Sequence, residues 1–128
     1  MILLDASVLI DFDRGKDPKL GGLLLTLPLA VCGPTRSEFL HGARTPAHRI
    51  KLVTALNGFA QVQIPETLWD VIGDTLSHLR RKGLTIPFPD AVVATVAITF
   101  DLELWARDAH FSQVQHHLPA LRLFAEPP

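Results

Sequence analysis

Five short segments with strand character are set apart by stretches with helical periodicity, and this alternation constrains the fold more than any other feature. Ile2–Leu4 is a continuous apolar run, the pattern of a buried strand, and Leu29–Cys32 reads as a second strand. Gln61–Ile64 alternates polar and apolar, as a half-exposed strand does. Glu103–Ala106 and Leu121–Phe124 complete the set. Between them, Leu20, Leu23, Leu24 and Leu27 fall at helical spacing behind an Asp17-Pro18 start, and Pro28 stops the run. Ile50, Val53 and Leu56 mark one face of a helix over Pro46–Asn57. Leu68, Ile72, Leu76 and Leu79 mark a long helix that Pro65-Glu66 opens and that ends at Arg80-Arg81-Lys82-Gly83. The helix beginning at Asp90 is apolar on every face, the signature of a central, buried helix. Shorter helices are predicted from Ser7 as cap through Asp11, from Thr35 to Gly42, and over Phe111–His117. Strands separated by helices imply a parallel sheet covered on both faces.

The 128 residues read as one domain, 1–128, with no linker, repeat or low-complexity segment. A single cysteine, Cys32, excludes an internal disulfide. Asp5, Asp11 and Asp13 interrupt the place where a signal peptide would carry its apolar core. The greasiest stretch, Leu20–Val31, is too short to span a bilayer and contains Pro28. These features lead us to expect a cytoplasmic protein without a membrane partner. A net charge of −1 argues against a chain coated with basic charge for nonspecific nucleic-acid binding, though it leaves room for a local basic rim.

Four acids share one kind of position. Asp5 and Asp108 follow strands, and Glu38 and Asp90 sit where helices begin. Each also has a structural explanation. Asp5 and Asp108 suit turns or caps. Thr35-Arg36-Ser37-Glu38 matches a capping box, in which Glu38 reaches back to the cap amide. Asp90 suits the N-cap of its own helix. The four mean more together. In a doubly wound sheet, strand C-termini and the following helix N-termini lie along one edge, so four acids there converge. Two carboxylates about 5 Å apart repel by roughly 3 kcal/mol at an effective dielectric of 20. Such a pocket is relieved by protonation or by a cation. Oxygen ligands favour Mg²⁺ or Mn²⁺ over zinc, and a metal-bound water attacks phosphodiesters.

The sequences around these acids resemble the motifs of PIN-domain nucleases. Leu4-Asp5-Ala6-Ser7-Val8-Leu9-Ile10-Asp11 resembles the opening motif of that family, and Ser37-Glu38-Phe39-Leu40-His41-Gly42 the second. Ile86-Pro87-Phe88-Pro89-Asp90-Ala91-Val92-Val93-Ala94 is similar to the third, and Leu104-Trp105-Ala106-Arg107-Asp108-Ala109-His110-Phe111 to the fourth. The resemblance runs from about residue 2 to 124, and the size and last two motifs look most like the VapC-type toxins of toxin–antitoxin modules. It implies a PIN-like three-layer α/β/α fold with a central parallel sheet of four to five short strands. It implies a Mg²⁺- or Mn²⁺-dependent endoribonuclease using one or two ions. It also implies an antitoxin partner whose C-terminal arm covers the active site, and a homodimer. By motif match, Asp5, Glu38, Asp90 and Asp108 carry over as the catalytic, metal-binding set, with Ser7 supporting the first acid. Two positions depart from the family's pattern. Ala106 stands where a hydroxyl residue is common, and Thr95 is shifted by one place.

The remaining polar residues divide less sharply. His110-Phe111 reads as fixing the turn after Asp108, and neither it nor His116-His117 has the spacing of a zinc site. Arg14, Arg36, Arg44 and Arg107 flank the acidic motifs and are candidates for a phosphate-guiding rim. Arg80-Arg81-Lys82 suits either RNA backbone or the helix C-terminus. Asp70 and Asp74 are expected in solvent, Asp13 and Asp17 in a loop, and Trp69 and Trp105 at a partner surface or in the core. A receiver-like phosphorylation switch fits poorly, because Asp5 has no adjacent acid and no lysine follows Lys82. A PIN-like domain that binds RNA or a partner without cutting is the other alternative.

Overall fold

A computed structural model describes residues 1–128. In chain order the elements are β1 (Ile2–Leu4), α1 (Ala6–Asp13), α2 (Leu20–Thr26), β2 (Leu29–Val31), α3 (Gly33–His41) and α4 (Pro46–Asn57). They continue with β3 (Ala60–Gln61), α5 (Leu68–Arg81), α6 (Phe88–Thr99), β4 (Glu103–Trp105), α7 (His110–His117) and β5 (Arg122–Leu123). All five strands pair in parallel, in the order β3-β2-β1-β4-β5. This is the three-layer α/β/α architecture expected from the alternation of strands and helices.

The pleat sorts side chains into two cores. Leu3, Ala30 and Leu104 lie side by side across the sheet and pack with α5, α6 and α7 through Ile72, Leu79, Val93, Phe111 and Val114. Their neighbours Ile2, Leu4, Leu29, Val31 and Trp105 point to the opposite face and meet Val8, Leu9, Leu20, Phe39, Leu52 and Leu56. Ala91 to Ala97 of α6 are all buried, so the uniformly apolar helix is the central one. No helix is long and apolar enough to cross a membrane.

Several local expectations were displaced by longer-range partners. Asp5, not Ser7, caps α1. The capping box at Thr35 does not form: α3 starts two residues earlier, behind Cys32, and the Thr35 hydroxyl donates to the carbonyl of Leu4 at 2.8 Å. Glu38 is thereby released from any cap. Asp90 is not a cap either, because α6 begins at Phe88 and places Asp90 in its first turn. Asp17 accepts from the amide of Lys19 in a turn ahead of α2, and Asp13 ends α1 instead of lying in a loop. On α4 the buried stripe is Leu52 and Leu56, and Ile50 faces solvent. The ladder of β3 is only two residues long, although the Val62 amide still reaches the Val31 carbonyl.

The buried Thr35–Leu4 hydrogen bond ties the end of β1 to the helix that carries Glu38. Thr35→Val keeps the shape and removes the donor. It is expected to lower the free energy of unfolding in urea by about 1–3 kcal/mol with an unchanged m-value. A loss indistinguishable from zero would show that the hydroxyl does not hold the two elements together.

Candidate active site

The strand order has one reversal point. β2 and β3 lie on one side of β1, and β4 and β5 on the other, so the crevice opens beyond the C-terminal ends of β1 and β4. Asp5 follows β1 directly, and its amide donates to the Trp105 carbonyl at the end of β4 at 2.9 Å. Asp108 lies three residues beyond β4. Glu38 on α3 and Asp90 in the first turn of α6 reach the same crevice, because these two helices pack together. The four expected acids therefore meet. Asp5 is 5 % exposed and Asp90 7 %, and Glu38 and Asp108 are half-buried.

The electrostatics follow from that placement. Burial pushes the Asp5 carboxyl above its usual value, Ser7 hydrogen bonds pull it back, and Asp108 pushes it up again. Burial raises Glu38 first, and the charges of Asp5, Asp90 and Asp108 add to it. Burial also raises Asp90, His110 opposes, and Asp5 and Asp108 reinforce the rise. Asp5 and Asp108 thus act on both other acids of the set, Glu38 and Asp90. Ser7 holds Asp5 in place: its amide and hydroxyl donate to Asp5 Oδ2 at 3.0 and 2.6 Å. The same hydroxyl accepts from the Arg107 amide at 2.9 Å, linking Asp5 to the segment that presents Asp108.

His110 belongs to this site as well. Its Nδ1 lies 3.1 Å from Asp90 Oδ2 and 3.2 Å from Asp108 Oδ1, and its amide donates to Asp108 Oδ1 at 2.9 Å. The residue fixes the turn, as its position suggests, and it also bridges two acids. Only its place two residues after Asp108 hinted at the second role. Asp90, Asp108 and His110 each offer a ligand atom, all within 4.8 Å of one another. The carboxylate oxygens suit a hard divalent cation, and the imidazole adds a nitrogen ligand that transition metals accept.

The expected basic rim is only partly free. Arg107 is spent elsewhere: its guanidinium meets Asp11 at 3.3 Å, Asp17 at 2.6 Å and Glu126 at 2.7 Å. Three acids of the chain already engage it. Arg36 donates to Asn57 at 2.8 Å. Arg14 and Arg44 line a polar hollow with Asp13, Thr45 and His48, at the far end of α1 from Asp5. Arg81 donates to Ser77 on its own helix, and Asp70 and Asp74 are exposed. Trp105 is core, 5.0 Å from the Phe124 ring, with its indole N–H on Glu126. Trp69 is on the surface. The shifted Thr95 donates to the Ala91 carbonyl and lies 3.3 Å from Thr75 of α5, away from the acids.

These shifts give stability two opposed pH limbs. Asp5, Glu38 and Asp90 are raised, so the folded chain keeps protons that the unfolded chain has lost. Metal-free protein is therefore expected to gain melting temperature as pH falls from about 7 toward about 5. Asp17 and Glu126 are lowered by Arg107, so their contribution is present above their ordinary values of 3.8 and 4.5 and is lost as pH falls through the depressed ones. Asp90→Asn should flatten the upper limb, and Glu126→Gln only the lower. A melting temperature that rises steadily from about pH 5 to 7 in EDTA would contradict the burial of these acids.

The PIN domain family model matches residues 2–117. Among solved structures, the chain is similar to VapBC2 from Rickettsia felis bound to a promoter DNA fragment. The TM-score is 0.82 and the identity 18 %, over 99 % of this chain and 100 % of that one. A toxin–antitoxin complex from Klebsiella pneumoniae is similar at TM-score 0.71 and 22 % identity, over 99 % and 100 %. VapC20 from Mycobacterium tuberculosis, a sarcin–ricin loop cleaving toxin, is similar at TM-score 0.69 and 17 % identity, over 88 % and 94 %. No curated protein sequence matches. At such identities the structural likeness speaks for the fold, and the family model speaks for descent. The chain belongs to the PIN domain family.

Proposed function

We propose that this chain is a metal-dependent endoribonuclease and the toxin of a toxin–antitoxin pair. The observation that carries the proposal is the meeting of four carboxylates at the strand-order reversal, where burial and neighbouring charge push Asp5, Glu38 and Asp90 toward protonation. Asp5, Glu38, Asp90 and Asp108 would hold one or two Mg²⁺ or Mn²⁺ ions, with Ser7 fixing Asp5. A bound ion supplies Lewis-acid polarisation of the phosphodiester and a more acidic water. Asp5 is oriented through Ser7, so one of its oxygens stays aimed into the crevice. His110 holds Asp90 and Asp108 at a fixed separation. A carboxylate of the set would accept a proton from the attacking water as its oxygen bonds to phosphorus; the phosphorus–oxygen bond opposite breaks, and the leaving oxygen takes a proton from solvent.

The partner is supported by the company the fold keeps: the solved relatives from Rickettsia felis and Klebsiella pneumoniae are toxin–antitoxin complexes. It is supported also by an apolar hollow between α1, α2 and α4, where Phe12 and Leu25 are exposed. We place the body of an antitoxin there and its C-terminal arm over the acids. A homodimer of the toxin completes the proposal.

Cleavage of a mixed RNA pool tests it. Activity is expected with Mg²⁺ or Mn²⁺, to vanish with EDTA and to fall to background in Asp5→Asn. Ser7→Ala should cost roughly tenfold, the usual scale for a residue that orients a ligand. Metal-independent cutting, or full activity in Asp5→Asn, would sink the proposal. Added Mg²⁺ should also raise the melting temperature of the wild type more than that of Asp90→Asn, because binding to the folded state alone stabilises it. Equal shifts would remove Asp90 from the metal set.

A further inference from the structure

Beside the acids lies a second cleft of about 610 Å³ whose chemistry differs from theirs. Trp69 at the start of α5 and Phe88 at the start of α6 stand on its wall, 40 % and 54 % exposed. Gln61 at the end of β3 and Gln63 just after it also line the cleft. The amide of Gln63 and the hydroxyl of Ser37 make no side-chain hydrogen bond within the chain, and the carbonyl of the Gln61 amide is likewise unspent. The cleft's lining adjoins the acids along the chain. Its residue Cys32 feels the charge of Asp5, Ser37 precedes Glu38, and Pro89 precedes Asp90.

We propose that this cleft is a nucleobase subsite, which takes an unpaired RNA base next to the phosphate that is cut. The inference rests on the nuclease function proposed above and adds where the substrate is recognised. Two exposed aromatic rings supply stacking faces, which any unpaired base can use. Uncommitted amide and hydroxyl groups beside them suit the hydrogen-bonding edge of a base. Arg36 is the cleft's one cation, and a single cation does not follow a run of phosphates. The cleft's volume falls within the range of small-ligand pockets. Bases held in a duplex cannot enter this cleft.

The chain carries its own probe. Trp69 and Trp105 are the only tryptophans, and Trp105 is fully buried. The wild-type protein in EDTA, at low salt, is titrated with a short single-stranded RNA and with an abasic oligomer of equal length. RNA is expected to quench the Trp69 fluorescence and the abasic oligomer to leave it unchanged, with Trp69→Phe as the background. Under Mg²⁺, Phe88→Ala and Gln63→Ala are expected to raise KM roughly tenfold while kcat stays close to wild type. Quenching equal for both oligomers, or cleavage with unchanged KM in both variants, would overturn the subsite. So would a Phe88→Ala protein that loses a dimer on gel filtration yet binds RNA normally, since the cleft would then join two copies. If RNA quenches Trp69 and is never cut, the subsite stands and the nuclease proposal fails.

Discussion

Two groups of acids stand back to back around β4, and the contrast between them organises the molecule. Asp11, Asp17 and Glu126 gather around the guanidinium of Arg107, which holds the carboxyls of Asp17 and Glu126 below their usual range. Asp5, Glu38, Asp90 and Asp108 gather with no guanidinium and only His110 between two of them, and burial and neighbouring acids push Asp5, Glu38 and Asp90 up. The fold compensates one cluster permanently and leaves the other to a proton or a bound ion. Arg107 and Asp108 are consecutive, so one residue closes the first cluster and the next serves the second.

The uncompensated cluster depends on the rest of the structure to keep it assembled. Repelling carboxylates separate unless their elements are fixed. β1 and β4 are paired neighbours, Thr35 ties β1 to α3, and α3 packs on the buried helix α6. Ser7 binds Asp5 on one side and the Arg107 amide on the other. His110 spans Asp90 and Asp108. The tail takes part through Glu126, which joins the Trp105 indole to Arg107 just ahead of Asp108. Apolar packing thus sets the charge geometry, and a few polar bonds trim it.

Much of this was legible in advance. The alternation of strands and helices gave the layered parallel sheet, and the uniform greasiness after Asp90 marked its central helix. The shared position of four acids pointed to one crevice. The errors came from start signals read locally. Thr35 and Glu38 match a capping box in sequence, yet the threonine hydroxyl is taken by Leu4, 31 residues away. Asp90 looks like a cap, yet Pro87 and Pro89 let the helix begin ahead of it. Arg107 reads as a rim residue until Asp17 and Glu126, 90 and 19 residues away, arrive at its side.

The sequence by itself determined the layers, the central helix and the identity of the acids, because hydrophobic period and residue type are local properties of a chain. Only the tertiary structure decided which charges are compensated. A carboxylate's state depends on what lies within a few ångströms, and those neighbours come from remote segments. The same holds for His110, which sequence placed at a turn and folding placed between two acids. It holds for Trp69 and Phe88, whose meeting beside the crevice no local pattern shows.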